Sequence, residues 1–413
     1  MQLMISGGFD NIRGMRSGTA GKKVEDFVSG TYGIGYEYRY FKPEPVNFDW
    51  GWDSKRITMA LDAASSALAA LDASSRFVPD MDLFIQMHVF REASASSKIE
   101  GTHTEIQEAV LPEEAIAAER RDDWREVNNY VRAMTDSIRQ LDELPLSMRL
   151  LCNAHALLLR GVRGKDKLPG EIRRSQNWIG GYSIGTARYV PPAAECLPEL
   201  LSDLERFWHN EDILVPDLIR CAISHYQFET IHPFLDGNGR IGRLLIPFYL
   251  ISKKRLRYPA LYISSYLESH REEYYEGLSR TRTDNALEGW ILFFLRAVER
   301  TSLRGYETFQ RIFALRDEIN RYCVEMRSRG SRLQAVFSHL YSRPCTTVND
   351  IVAATGLDYQ AVNNAVKLLL RDGHLFLLNG HRRNRIFTFG RYLEIFKDSS
   401  ESRGGALDGA PAT

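Results

Sequence analysis

The twelve residues HPFLDGNGRIGR, His232 to Arg243, hold one histidine, one carboxylate, three glycines and two arginines. A histidine ring nitrogen takes or gives a proton near neutral pH. Gly237 and Gly239 let backbone N–H groups come close to an anion. A helix starting near Asn238 would aim its positive N-terminal end at the same anion. Arg240 and Arg243, three apart, reach one side of that helix and suit separate phosphates. Asp236, acceptor-only when ionised, suits a hard cation such as Mg²⁺ bridging phosphate oxygens. The set describes metal-assisted transfer of a phosphate-containing group, with His232 as base. Two rival readings account for less of it. GNGRIG fits GxGxxG, but a dinucleotide turn needs a preceding strand, and CAISHYQFETIHPF is helical in character. His225, His232 and Asp236 contain the residue types of a metal site, but not at HExxH spacing and with one carboxylate nearby. Phe234 reads as a core anchor.

The elements that must position this loop are mostly helices. Residues 54–73 form an alanine-rich helix with Ser54 as cap. A second helix starts after Pro79-Asp80 and runs through FREASASSKIE, and a third covers 122–142, where Trp124, Val127, Val131 and Met134 recur at helical spacing. Pro216 opens a fourth that leads to His232, and a long helix follows from about 286. QNWIGGYSIGTARYVPP (176–192) is aromatic and β-branched, broken by Gly-Gly and closed by Pro-Pro, and is expected to be a β-hairpin. From 331 the pattern becomes two short helices, then LFLL and RIFTF joined by NGHRRN, the outline of a winged helix. The expected fold class is mainly α, with a β-hairpin flap on a helical core and a small α+β winged helix. The boundaries drawn are a flexible N-terminus (1–35), an N-terminal helical region (36–140), a catalytic domain (141–300), a helical linker (301–330), the winged helix (331–398) and a disordered tail (399–413).

HPFLDGNGRIGR matches the Fic-family signature HxFx(D/E)GNGRxxR without departure. The resemblance extends from about residue 38 to 300. YFKPEPVN and REASASSKIEGT resemble the region that precedes many Fic domains, QNWIGG and ARYVPP the family's flap, and YISSYLESHREEYYEGL its following helix. The resemblance implies a protein adenylyltransferase, moving AMP from ATP to a Ser, Thr or Tyr hydroxyl of target proteins and of itself. It casts His232 as the catalytic base and Asp236 as holder of Mg²⁺. Gly237, Asn238, Gly239, Arg240, Ile241, Gly242 and Arg243 become the nucleotide-binding segment. Tyr275, and less surely Tyr274, become neighbours of the adenine, their alternative being helix-face packing. Gly181, Tyr182, Ser183 and Ile184 are the tip of a flap that takes the target as an added strand. SSKIEG (96–101) resembles the family's inhibitory SxxxEG, placing Ser96 and Glu100 on one helix face. Glu100 paired with Arg243 would occupy the arginine that the γ-phosphate needs. In some relatives this glutamate serves the reverse hydrolysis, so a bifunctional AMPylating and de-AMPylating enzyme is kept as an alternative.

Composition narrows the remaining classes. The 413 residues carry 53 basic and 53 acidic side chains, so no global field draws the chain to nucleic acid or membrane. No apolar run reaches the ~20 residues of a membrane span, and the N-terminus lacks the apolar core of a signal peptide. Five scattered cysteines, without CxxC, suit reduced thiols and a cytoplasmic location. A second copy of the chain is entertained as a partner. So is DNA: Gln360, Asn363, Asn364 and Lys367 fall on the candidate recognition helix, and Arg382, Arg383 and Arg385 on the wing. A transcription regulator with a Fic core as sensor is the rival from another class.

Overall fold

The computed structural model describes residues 21–35, 37–76, 81–378 and 385–397. The chain enters through two strand pairs. β1 (Lys22–Lys23) runs parallel to β4 (Trp50–Gly51), and β2 (Gly30–Ile34) antiparallel to β3 (Arg39–Pro43), with Gly30 opposite Pro43 and Ile34 opposite Arg39. Residues 22–34 were expected to belong to a flexible terminus. They are ordered because Val24 and Phe27 are fully buried, and Phe27 packs edge-on to Trp50 with ring centroids 4.8 Å apart. Residues 1–20 and 398–413, which hold the rest of the expected flexible terminus and the expected tail, lie outside the described residues.

Eleven helices then build the body: α1 (Lys55–Ser75), α2 (Met81–Ile99), α3 (Ile106–Ala109), α4 (Arg121–Leu141), α5 (Met148–Leu158), α6 (Leu197–His209), α7 (Asp217–Ile231), α8 (Asn238–Ser252), α9 (Ser264–Ser269), α10 (Arg271–Asp284) and α11 (Leu287–Glu325). Ser54 caps α1 by accepting from the Ile57 N–H, satisfying an N–H that has no partner within the helix. At the centre lies α7, buried along its whole length from Leu218 to Ile231, packed on α8. Its polar side chains, among them Arg220, His225 and Gln227, are buried along with the apolar ones, and α1, α6, α8, α11 and β3 pack against it. The segment expected as a helical linker, 301–330, is helical to Glu325 and continues the helix that begins at Leu287. Phe309, Ile312, Leu315, Ile319 and Cys323 continue the buried stripe, so α11 runs unbroken past residue 300 to Glu325.

The C-terminal unit comprises α12 (Gly330–Ser342), β5 (Cys345–Thr346), α13 (Val348–Thr355), α14 (Tyr359–Arg371), β6 (Phe376–Leu377), β7 (Phe387–Thr388) and α15 (Gly390–Glu394). Its three strands form an antiparallel sheet in the order β5-β7-β6. The unit is seated on α2: the Phe84 ring lies 4.7 Å from Tyr341, and the His88 ring 5.2 Å from Phe396. The five cysteines are free. No helix among the described residues is long and apolar enough to cross a membrane.

His88 is fully buried against Tyr262, Phe309 and Phe396, and neither ring nitrogen has a partner among the described residues. Burial, with Arg91 nearby, lowers its pKa to about 3. The unfolded chain therefore takes up a proton near the ordinary value of about 6.5 and the folded chain does not. Stability contributed by the neutral ring is lost as pH falls from about 6.5 toward 3. Replacing His88 with leucine is expected to raise stability by about 1 kcal/mol at neutral pH, and by more at pH 5. Thermal melts at the two pH values check this, and a lower melting temperature for the variant at both would contradict it.

Candidate active site

His232 ends α7 in the left-handed region, with φ 52° and its N–H bonded to the Phe228 carbonyl. A non-glycine residue held there turns the chain sharply out of the helix and into the loop. The half-buried ring has its Nδ1 3.3 Å from the Glu229 carbonyl. A carbonyl only accepts, so Nδ1 carries the proton and the Nε2 lone pair is left free. Burial lowers the ring pKa to about 4, so His232 is neutral at physiological pH and ready to accept a proton.

The loop from 233 to 237 is tied from several sides. Phe234 is buried under the His155 ring, centroids 3.9 Å apart, and Asn177 donates to its carbonyl at 2.8 Å. Asn238 was read as an anion contact, but its side chain is committed elsewhere. Its Oδ1 accepts from the Phe234 N–H and its Nδ2 donates to the Phe234 carbonyl, both at 2.8 Å. Only its backbone N–H remains for a ligand. Gly237, with φ 76°, caps α8, and the first N–H groups of α8 have no acceptor inside the helix. Ile241 is buried in the core, and a Cβ at Gly242 would collide with the Glu229 carboxyl, so neither residue offers a side chain to a ligand.

Arg243 is buried and bonded to the end of α2 through Nε and Nη2. Its Nη2 donates to Glu100 Oε1 at 2.6 Å and to the Ser96 carbonyl at 3.0 Å, and its Nε donates to Ser96 Oγ at 2.8 Å. Burial would raise the Glu100 pKa, but Arg243 outweighs it and holds the carboxylate below its usual value. α2 stops there because Gly101 turns left-handed, with φ 92°, and Thr102 N–H returns to the Ser97 carbonyl. Glu100 also lies directly over Gly239, where any Cβ would collide with its carboxylate. The Glu100 carboxylate thus occupies the anion position that the N-terminus of α8 and Arg243 define.

Arg240, 5% exposed, reaches Glu126 at 3.5 Å and Asp236 at 3.9 Å, and its Nε has no partner among the described residues. Asp236 is partly exposed and accepts from the Gly237 N–H at 2.6 Å. No group of three His, Cys, Asp or Glu among the described residues could hold a metal ion. His225, the third member of the metal reading, is outside the site. Its Nδ1 donates to the Gly242 carbonyl at 2.8 Å and its Nε2 accepts from the Tyr274 hydroxyl at 3.0 Å. Tyr274 is accordingly buried, while Tyr275 is 42% exposed.

The flap is not a regular hairpin. A single bridge joins Ile179 to Tyr189, and a short 3₁₀ turn at Ile184–Thr186 forms its tip. Gly180 and Gly181 both have positive φ (69° and 79°), which bends the chain away from strand geometry immediately after Ile179. Gly181, Tyr182 and Ser183 are exposed, and Val190 accepts from the Phe41 N–H at 3.0 Å, which ties the flap to β3.

Four site residues carry no signal in the sequence. Arg173, buried, donates to the carbonyls of His232 at 2.9 Å, Pro192 at 2.6 Å and Ser175 at 3.1 Å, fastening the flap's exit to the base. His155 donates from Nε2 to the Asp236 carbonyl at 2.9 Å and accepts from the Gly170 N–H at 2.8 Å. Glu126 is buried between Arg163 and Arg240. Glu229 is buried beside Arg243, and burial pushes its carboxyl up to about 7.

Known proteins share this arrangement of sequence and fold. Residues 145–250 match the Fic/DOC family, and residues 58–139 the Fic/DOC family N-terminal region. The two matches follow one another along the chain, the N-terminal region first and the Fic/DOC match, which holds the His232–Arg243 loop, second. It is 33% identical over 133 residues to the protein adenylyltransferase Fic of Culex quinquefasciatus, spanning 32% of this chain and 24% of that protein. It is 28% identical over 257 residues to that of Drosophila persimilis, spanning 60% of this chain and 46% of that one. The alignments thus span a quarter to a half of the length of these relatives. The fold is also that of a Fic family protein from Desulfovibrio desulfuricans G20, with a TM-score of 0.53, 19% identity, and coverage of 81% of this chain and 96% of that one.

Proposed function

We propose that the protein transfers AMP from ATP to a hydroxyl side chain of target proteins, and that Glu100 holds it in a self-inhibited state. The observation that carries this reading is the placement of a neutral His232 beside an anion position formed by the N-terminus of α8 and Arg243, with Glu100 seated in it. In the reaction His232 Nε2 takes the proton of the attacking hydroxyl. The oxygen–phosphorus bond forms at the α-phosphate, the bond to the β-phosphate breaks, and pyrophosphate leaves. Backbone N–H groups of α8 face the phosphates, and Arg240 and Arg243 balance the outer charge. One carboxylate cannot hold Mg²⁺ alone, but Asp236 suits an ion whose other ligands are ATP oxygens and water. Mg²⁺ held in that way would neutralise developing phosphate charge. The partly exposed Asp236 carboxylate at the mouth of the cradle supports that role.

Target binding falls to the flap. Its exposed tip and the backbone flanking the Ile179–Tyr189 bridge are open to an added strand, which fixes register with little demand on target sequence. The class of reaction is tested with ATP labelled on the α- or the γ-phosphate, incubated with the Glu100→Gly protein and cell lysate. Transfer of the α-label to protein is expected, and transfer of the γ-label alone would refute AMP transfer.

A further inference from the structure

The chain as a whole is neutral, yet one surface far from the Fic signature in sequence concentrates positive charge. α13 and α14 are joined by a three-residue turn (356–358): Gly356 closes α13 with φ 68°, and the Asp358 side chain caps α14 by accepting from the Ala361 N–H at 2.8 Å. α14 buries Val362, Ala365, Val366, Leu368 and Leu369. Its outer face presents Gln360, Asn364, Lys367 and Arg371, spaced four, three and four residues apart, as one exposed stripe. Asn363, which the sequence placed with them, is half-buried and off the stripe.

Two arginines join that face from another helix. Arg329 and Arg332, at the start of α12, line with Asn364, Lys367 and Arg371 a cleft of about 530 Å³. No carboxylate lines it. Arg371 is tied to Asp372 at 2.8 Å, but Arg329, Arg332 and Lys367 form no ion pair among the described residues. Three uncompensated cations around one cleft repel one another unless an anion sits between them. Asn364 at the cleft and Gln360 one turn before it, whose amides bond to each other at 3.4 Å, retain groups that can both donate and accept, the pairing that adenine edges offer in a major groove. The stripe lies opposite the face of α14 that buries Val362, Val366 and Leu369. The loop 379–384, with Arg382 and Arg383, lies outside the described residues and is not needed for this placement.

We infer that the C-terminal unit is a winged helix whose α14 face binds duplex DNA, with Arg329, Arg332 and Lys367 gripping the phosphate backbone at the groove's edge. The amides select among bases, and the cations supply affinity that any sequence shares. An acidic protein surface is the competing partner, but a row of amides in front of the cations matches base edges rather than carboxylates. The inference stands whether or not the Fic domain transfers AMP.

The test uses the full chain and a labelled random-sequence duplex of about two helical turns, roughly 20 base pairs, followed by fluorescence anisotropy across salt concentrations. Three phosphate contacts give a slope of log affinity on log salt of about −2.7. Arg332→Glu with Lys367→Glu should weaken binding at least tenfold and flatten that slope by about 2. Gln360→Ala with Asn364→Ala should leave the slope unchanged and abolish the preference for duplexes selected from a random pool. Both pairs are exposed, and circular dichroism verifies that the variants fold. Absence of duplex binding at low salt, unchanged binding by the charge-reversed variant, or equal binding to single strands would each overturn the inference.

Discussion

Glu100→Gly is expected to raise the rate of AMP transfer by about 10²-fold, measured as α-labelled phosphate incorporated into protein per unit time. The expectation follows from what occupies Arg243. A guanidinium has five N–H donors, and here those of Nε and Nη2 are committed to Ser96 Oγ, the Ser96 carbonyl and Glu100. ATP that enters this state meets a carboxylate in the place of a phosphate, so its γ-phosphate is repelled and its α-phosphate is displaced from the line of attack. Removing the carboxylate restores both the donor and the space above Gly239. The rest of α2 should stay in place, because its other end is anchored by Phe84 against Tyr341. Removing one partner of a buried pair also has a stability cost. Arg243 is 1% exposed and Glu100 about a third, so a loss of roughly 1–3 kcal/mol is expected without nucleotide. Added ATP should then raise the melting temperature of the variant more than that of the parent. An unchanged transfer rate, with the variant folded and binding ATP, would show that Glu100 is not the brake.

The parts of this site that the sequence reveals are those whose chemistry is local. Phosphate contacts made by consecutive backbone N–H groups need glycine at fixed spacing, and the pattern survives in one dimension. The Ser96–Glu100 spacing is legible for the same reason: four residues on a helix share a face. Arg173 and His155 are not legible, since they approach the loop from 59 and 81 residues away and act through carbonyls. A carbonyl has no sequence identity, so nothing in the string marks its donor. Asn238 shows the converse. Its place in the motif suggests a ligand contact, while the geometry commits its amide to Phe234. The flap differs from the regular hairpin its residue types suggest, because the positive φ values of Gly180 and Gly181 bend the chain away from strand pairing. The stripe of α11 was cut at residue 300, although its buried positions continue to Cys323.

His232→Ala in the Glu100→Gly background should lower transfer by about 10²- to 10⁴-fold while leaving ATP affinity within a few-fold. Both halves of that statement come from geometry. The Nε2 lone pair is free because Nδ1–H is directed to the Glu229 carbonyl, so the ring can accept a proton and the alanine cannot. In the proposed reaction α8 and the arginines would meet the phosphates, and none of them bonds to the imidazole, so binding should not depend on it. Glu229→Ala is a useful contrast, since the bond to Nδ1 uses the Glu229 backbone and survives loss of its carboxyl. A pH profile separates a base from a structural ring. With a pKa of about 4, His232 is already deprotonated at neutral pH. The rate of the Glu100→Gly protein should therefore stay level as pH falls from 7 to 5, and drop only on approach to 4. A histidine with an ordinary value would give a decline near 6.5. A decline there, or a His232→Ala protein that keeps its rate, would remove His232 from the chemistry and leave the loop as a phosphate cradle alone.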